Sequence, residues 1–190
     1  MMDAKTADRP ADEERSARAR IAAAAKLLRG GKVPDDFVAL LFGNAPPEDL
    51  VAYKADELAA LAAEAYEFIE RRKTGSPKIR IEQPKAQGDR LKAISVIEIA
   101  NDDMPFLVDS VMGELTDRGI SIRLIVHPIL NVERDKSGKL TATPEEAQRR
   151  PGEVRESFIH VHVERIDDEA QRAELVQALD SVLAEVRRCV

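Results

Sequence analysis

Apolar residues recur along this chain with two periods, and the period changes near residue 75. From about 12 to 29 the spacing is helical: Ile21, Ala25 and Leu28 fall at i, i+4 and i+7, and Leu27 widens the stripe. Gly30–Gly31 stops it, as glycines past a helix end do. A short helix is predicted around 34–42, with Phe37, Leu40 and Leu41 inside and Gly43–Asn44 ending it. Pro46–Pro47 reads as another helix entry, with Glu48 and Asp49 favourable in the first turn. A longer helix over about 55–72 carries Leu58, Leu61, Ala62, Ala65, Phe68 and Ile69 on one stripe. Residues 1–12 show no periodicity and read as a frayed tail.

Thr74-Gly75-Ser76-Pro77 is a turn cluster, and beyond it the apolar period drops to two. Strands are predicted over 78–83 (Ile79, Ile81), 92–100 (Ile94, Val96, Ile97, Ile99), from Ile120 through Val126, over 129–134, over 139–143 and over 157–165. Pro128 should put a bulge or bend in the strand that starts at Ile120, because proline lacks a ladder donor. Asp135-Lys136-Ser137-Gly138 is a hairpin turn, and residues 144–154 a polar loop. Two helices accompany the strands. One follows Asp103, its expected N-cap, and buries Leu107, Val111 and Leu115; the other is capped by Asp167 or Asp168 and carries Val176, Leu179, Val182, Leu183 and Val186. That last helix has no stop residue before Val190, which suggests a chain cut from a longer one.

The chain is therefore expected to be α+β, with two parts. Residues 1–75 form a small alanine-rich helical region. Residues 76–190 form a ferredoxin-like domain: an antiparallel sheet with helices on one face. The order from residue 77 fits a βαββαβ unit whose last strand is missing or replaced by the strand at 78–83.

Composition narrows the function. Net charge is −6, from 35 acidic and 29 basic residues, which argues against a nucleic-acid partner. A single cysteine, Cys189, excludes an internal disulfide. No apolar run approaches a bilayer span, and the N-terminus has no secretory apolar region, so no membrane partner is expected and the cytoplasm is the expected location.

Motif chemistry is sparse. There is no G-x-G-x-x-G after a strand, no complete P-loop and no G-x-S-x-G. No catalytic residue and no cofactor site are expected within the chain. His127, His160 and His162 are the weak candidates for a metal; without cysteine or H-x-x-E spacing they read better as a polar, solvent-facing or interface stripe. Asp102, Asp103 and Asp109 could hold a cation or move protons, but Asp103 is better used as a cap and Asp109 lies on a helix surface. Arg15, Arg18, Arg20, Lys26 and Arg29 form a solvated helical face.

The segment Val96-Ile-Glu-Ile-Ala-Asn-Asp-Asp-Met-Pro-Phe-Leu-Val-Asp-Ser-Val111, followed by Arg118 to Leu130, resembles a signature region of the large bacterial NAD-specific glutamate dehydrogenases. Pro77 to Ile81, Leu41-Phe-Gly43 with Pro47 to Leu50, and Arg155 to Val161 support the likeness, which spans about residues 35 to 190. Those enzymes are several times longer and interconvert glutamate with 2-oxoglutarate and ammonia, using NAD. The resemblance implies a non-catalytic N-terminal module with an ACT-like domain, in regulation or assembly. NAD would then belong to the parent enzyme, and the partners would be its other domains and further copies in a homo-oligomer. ACT domains often bind an amino acid at an Asp-x-Pro-Gly-Leu turn. The resemblance thus marks Asn101, Asp102, Asp103, Met104, Pro105, Phe106 and Leu107 as an effector site. Phe106 stands where the pattern has glycine. A side chain there blocks or reshapes a ligand's approach to the backbone, which favours the alternative of a purely structural oligomerisation module.

Overall fold

A computed structural model describes residues 9–142 and 154–190. The first helix, α1, runs Arg9–Leu28, so residues 9–12 are helical rather than part of a frayed tail. Then come α2 (Phe37–Phe42), α3 (Pro47–Leu50) and α4 (Ala55–Ile69). The Glu57 carboxylate accepts the Lys54 backbone N–H at 2.9 Å and fixes the start of α4. Alanine has a specific use in this layer. Ala17 and Ala24 of α1 and Ala59, Ala62 and Ala65 of α4 are buried, and their small side chains let helix backbones approach closely.

The sheet contains β1 (Lys78–Glu82), β2 (Ile94–Asp102), β3 (Ile122–Val126), β4 (Ile129–Arg134), β5 (Leu140–Ala142) and β6 (Val154–Glu164). A short turn of helix, α5 (Asp89–Lys92), precedes β2, and two longer helices follow strands: α6 (Leu107–Asp117) and α7 (Glu169–Cys189). Strand order is β1-β2-β6-β4-β5, with β3 also on β6, and every pairing is antiparallel. The predicted replacement is realised: β1 takes the fourth position of the βαββαβ unit, pairing with β2 from Lys78↔Ala100 to Glu82↔Val96. Pro128 separates β3 from β4, which together flank β6, and its carbonyl accepts the Phe158 N–H at 3.0 Å. The predicted polar loop at 144–154 falls, except for Val154, outside the described residues.

Alternation sends the two halves of each strand to opposite faces. Ile97, Ile99, Ile159, Val161 and Val163 meet Leu107, Val111 and Leu115 of α6 and Leu175, Leu179 and Leu183 of α7. The other face is covered too. Val96, Ala100, Leu124, Leu130 and Phe158 pack under Phe42, Leu61, Phe68 and Ile69 of the N-terminal helices. Helix α6, inserted between strands, and α7, which follows the last strand, thus keep to one face, while the helical region that precedes the sheet closes the other. At about 1.5–3 kcal/mol per buried large side chain, either interface is ample to hold its layer in place.

Two helix starts are informative. Asp168 Oδ1 accepts the Ala170 N–H at 2.9 Å, as a cap should. Asp103 does not cap α6, contrary to expectation. The chain stays irregular beyond it, and the N-cap position falls on Phe106, which has φ of 68° and no side-chain cap. Asp103 is held back because its N–H donates to the Arg155 carbonyl at 3.0 Å and its carboxylate sits 3.1 Å from the Arg155 guanidinium.

Candidate functional site

Polar residues are concentrated along the seam between the sheet and the N-terminal helices. The even positions of β2 and β6 face this seam, and among them are Glu98, Asp102, Glu156, His160 and His162. These strands have to be apolar on the other face, so Glu98 sits within Ile-Glu-Ile and His160 and His162 alternate with Ile159, Val161 and Val163.

One cluster is a line of buried polar side chains. The Tyr53 hydroxyl lies 2.7 Å from His162 Nδ1, His162 Nε2 lies 2.8 Å from His160 Nε2, and His160 Nδ1 lies 3.2 Å from Glu98 Oε1. Arg80 Nε donates to Glu98 Oε2 at 2.8 Å, and its terminal nitrogen donates to the Glu64 carbonyl at 3.0 Å. Tyr53, His160 and His162 are wholly buried, and Glu98 is 2% exposed. Burial is the main reason His162 is held well below the usual imidazole range, with His160 and Arg90 adding to it. Burial also raises the Tyr53 phenol, against the opposing hydrogen bond and charge of Arg90. A carboxylate salt-bridged to arginine only accepts, so His160 donates through Nδ1. With both rings neutral, His160 Nε2 then accepts from His162 Nε2, and His162 Nδ1 accepts from Tyr53. Every atom in the line is satisfied by that one arrangement.

The second cluster lies at the other end of the seam. Arg134 Nε and a terminal nitrogen both reach Glu156 at 2.8 Å, and Arg72 donates to Glu156 Oε1 and to Asp102 Oδ1 at 2.7 Å each. Arg134 also donates to the carbonyls of Ile69 at 3.0 Å and Gly138 at 2.9 Å. Gly138 has φ of 81°, and a Cβ there would run into the Arg72 carbonyl oxygen, so both the turn and the close approach demand glycine.

The predicted effector residues divide between these roles. Asn101 is buried and accepts from Arg187 of α7 at 2.9 Å; Asp102 is shared by Arg72 and, at 3.5 Å, Arg187. Leu107 is core. Asp103 and Met104 are half-buried, Pro105 is exposed, and Phe106 is 66% exposed beside a groove of about 470 Å³ between α6 and α7, lined by Gly113, Val182, Val186 and Cys189. Of the histidines, the structure joins His160 to His162 but sends His127 to the Ser157 hydroxyl instead. Among the described residues, no three His, Cys, Asp or Glu side chains gather as metal ligands would. Asp109 is exposed in the first turn of α6. Arg15 and Arg18 pair with Asp12 and Glu14 on the exposed side of α1, while Arg20 turns inward to the Tyr53 carbonyl. The residues that motif reading missed are Tyr53, Arg72, Arg80, Glu98, Arg134 and Glu156. A charged residue within the apolar run of β2 was the one available signal.

The strand order and the two helices on one face define a ferredoxin-like α+β module, extended by a helical layer on the other face. The chain belongs to the family of the glutamate dehydrogenase ACT1 domain, whose family model matches residues 37–179. It is 35% identical over 159 residues to the NAD-specific glutamate dehydrogenase of Halomonas elongata, covering 82% of this chain and 10% of that protein. It is 27% identical over 141 residues to the enzyme of the same name from Pseudomonas aeruginosa, covering 74% of this chain and 9% of that protein. The chain thus spans about a tenth of the length of the curated relatives it matches. No solved structure matches it. No helix among the described residues is long and apolar enough to cross a membrane.

Proposed function

We propose that this chain is a non-catalytic regulatory and assembly module of a large NAD-specific glutamate dehydrogenase. That enzyme would oxidise L-glutamate to 2-oxoglutarate and ammonia with NAD bound in another domain. The observation that carries the reading is that the buried ionisable groups along the seam are already taken: Glu98 pairs with Arg80 and Glu156 with Arg72 and Arg134, and Arg80 and Arg134 reach across to the Glu64 and Ile69 carbonyls of α4. Groups bound in this way set the position of one layer on another and are closed to a substrate. Phe106, exposed in a left-handed conformation beside the α6–α7 groove, is the natural contact for the remaining domains or for further copies. The decisive experiment places Phe106→Asp and Val182→Asp in the whole enzyme. The expected result is altered assembly or effector response with the turnover number at saturating glutamate and NAD retained. Loss of turnover with assembly and effector response intact would overturn the reading.

A second reading has an amino-acid effector at the same turn. The solvent-accessible Asp103–Arg155 pair favours it, since it offers a carboxylate for an ammonium group and a guanidinium for a carboxylate. Calorimetry with L-glutamate and other amino acids should then show heat, and Asn101 to Leu107 should gain protection from hydrogen exchange. Absence of both removes this reading and leaves assembly.

A further inference from the structure

The buried line from Tyr53 to Glu98 joins two layers through groups whose hydrogens can reverse. Tyr53 belongs to the loop between α3 and α4, the histidines to β6 and Glu98 to β2, so the line spans the seam. The charged and titratable groups around it are few. Arg90 of α5 lies over the Tyr53 ring, 5.3 Å from its centroid, and Arg20 of α1 reaches the Tyr53 carbonyl. Asp49 of α3 and Glu57 of α4 act on Tyr53 from further away. Arg80 and Glu82 of β1 and Glu64 of α4 stand around the Glu98 end.

We propose that this line is a one-proton latch: neutral, it seats the N-terminal helices on the sheet, and on taking up a proton it loosens them while leaving α6 and α7 in place. A cavity of about 10 Å³, lined by Glu64, Arg80, Glu82, Gln83, Glu98 and His160, meets the line at its Glu98 end and is of the order of one water site. A proton arriving there and bound by His160 makes both ring nitrogens of that residue donors. His160 Nε2–H then faces His162 Nε2–H at 2.8 Å, so the His162 hydrogen must leave Nε2 and reappear on Nδ1. His162 Nδ1–H in turn faces the Tyr53 O–H, whose hydrogen has to find another acceptor. Arg90, over the ring, is only a donor. The added charge lies between Arg80 and Arg90, and the adjacent carboxylate, Glu98, already serves Arg80. Separating the layers relieves both problems, because water can then solvate the imidazolium and the phenol.

The sign follows from His162, which burial holds well below the usual imidazole range and which shares through its Nε2 the hydrogen-bonded line that the added proton enters. A histidine held neutral when buried contributes full stability above its unfolded pKa of about 6.5 and loses it as pH falls below that. The test is hydrogen exchange on the whole protein from pH 7.5 to 5, corrected for intrinsic chemistry, with long-range nitrogen NMR of the imidazoles. Exchange in α4 should accelerate by about tenfold per pH unit below about 6.5 while α7 stays unchanged. The acceleration should vanish in the double variant His160→Gln/His162→Gln and persist in His127→Gln. The imidazole spectra, which need no variant to fold, should show hydrogens on His160 Nδ1 and His162 Nε2 at pH 7.5. Equal acceleration in α4 and α7, persistence in the double variant, or His162 titrating like free histidine would each overturn the latch.

Discussion

The two faces of this sheet are built on different principles. Toward α6 and α7 the contact is almost wholly aliphatic, with Ile97, Ile99, Val161 and Val163 against Val111, Leu179 and Leu183. Toward the N-terminal helices the aliphatic contact is interrupted by Glu98, Glu156, His160 and His162, each answered by a specific partner. An apolar interface is tolerant of small shifts and indifferent to pH. One held by paired charges and oriented hydrogens accepts a single register and responds to the medium. If the proposed latch operates, the N-terminal layer is the conditional part of the molecule and the α6–α7 layer the permanent part.

The comparison breaks most directly at Glu156. Glu156→Ala leaves Arg134 buried without its carboxylate and Arg72 with Asp102 alone, and a loss of about 3–5 kcal/mol is expected in chemical denaturation. Leu179→Ala, on the aliphatic face, should cost about 2–4 kcal/mol, with the same loss measured at pH 5.5 and pH 7.5. Equal pH sensitivity in both variants would erase the distinction drawn between the faces. Tyr53→Phe keeps the ring but leaves His162 Nδ1 without its donor, and about 1–3 kcal/mol should be lost at pH 7.5. The same variant should lose less at low pH, where the ring nitrogen is protonated. Phe106→Gly should raise stability by about 1 kcal/mol, because glycine adopts the observed φ of 68° without steric cost. A gain there, combined with impaired assembly of the whole enzyme, would show that the strain serves a contact.

Most of the architecture was legible because the strands and helices carry clean periods. Ile79 and Ile81, the Ile120–Val126 alternation and the Leu107-Val111-Leu115 stripe each specify one element and one face. The replacement of the fourth strand by residues 78–82 was also open to inference from element order. Less was legible where long-range contacts override local preference. Asp103 has the right chemistry and spacing for a cap, yet Arg155, distant in sequence, claims both its N–H and its carboxylate. His160 and His162 read as a polar stripe because alternation alone cannot tell a solvated face from one covered by another layer. That cover comes from Tyr53, which lies 109 residues away from His162. Of the residues marked at the turn, Asn101 and Asp102 proved to be bound by arginines, Asn101 by Arg187 and Asp102 by Arg72 and Arg187. The arginines that bind them carry no motif of their own.

The hairpin at Asp135–Leu140 has a role that its composition conceals. Tips of this kind are commonly where a fold absorbs inserted residues, since nothing rests on them. Here the Gly138 carbonyl accepts from Arg72 and Arg134, and the Arg72 carbonyl oxygen occupies the space that a Cβ on Gly138 would need. Lengthening the tip by even one residue would therefore unseat the end of α4 at Ile69, which lies 65 residues before Arg134 in the chain.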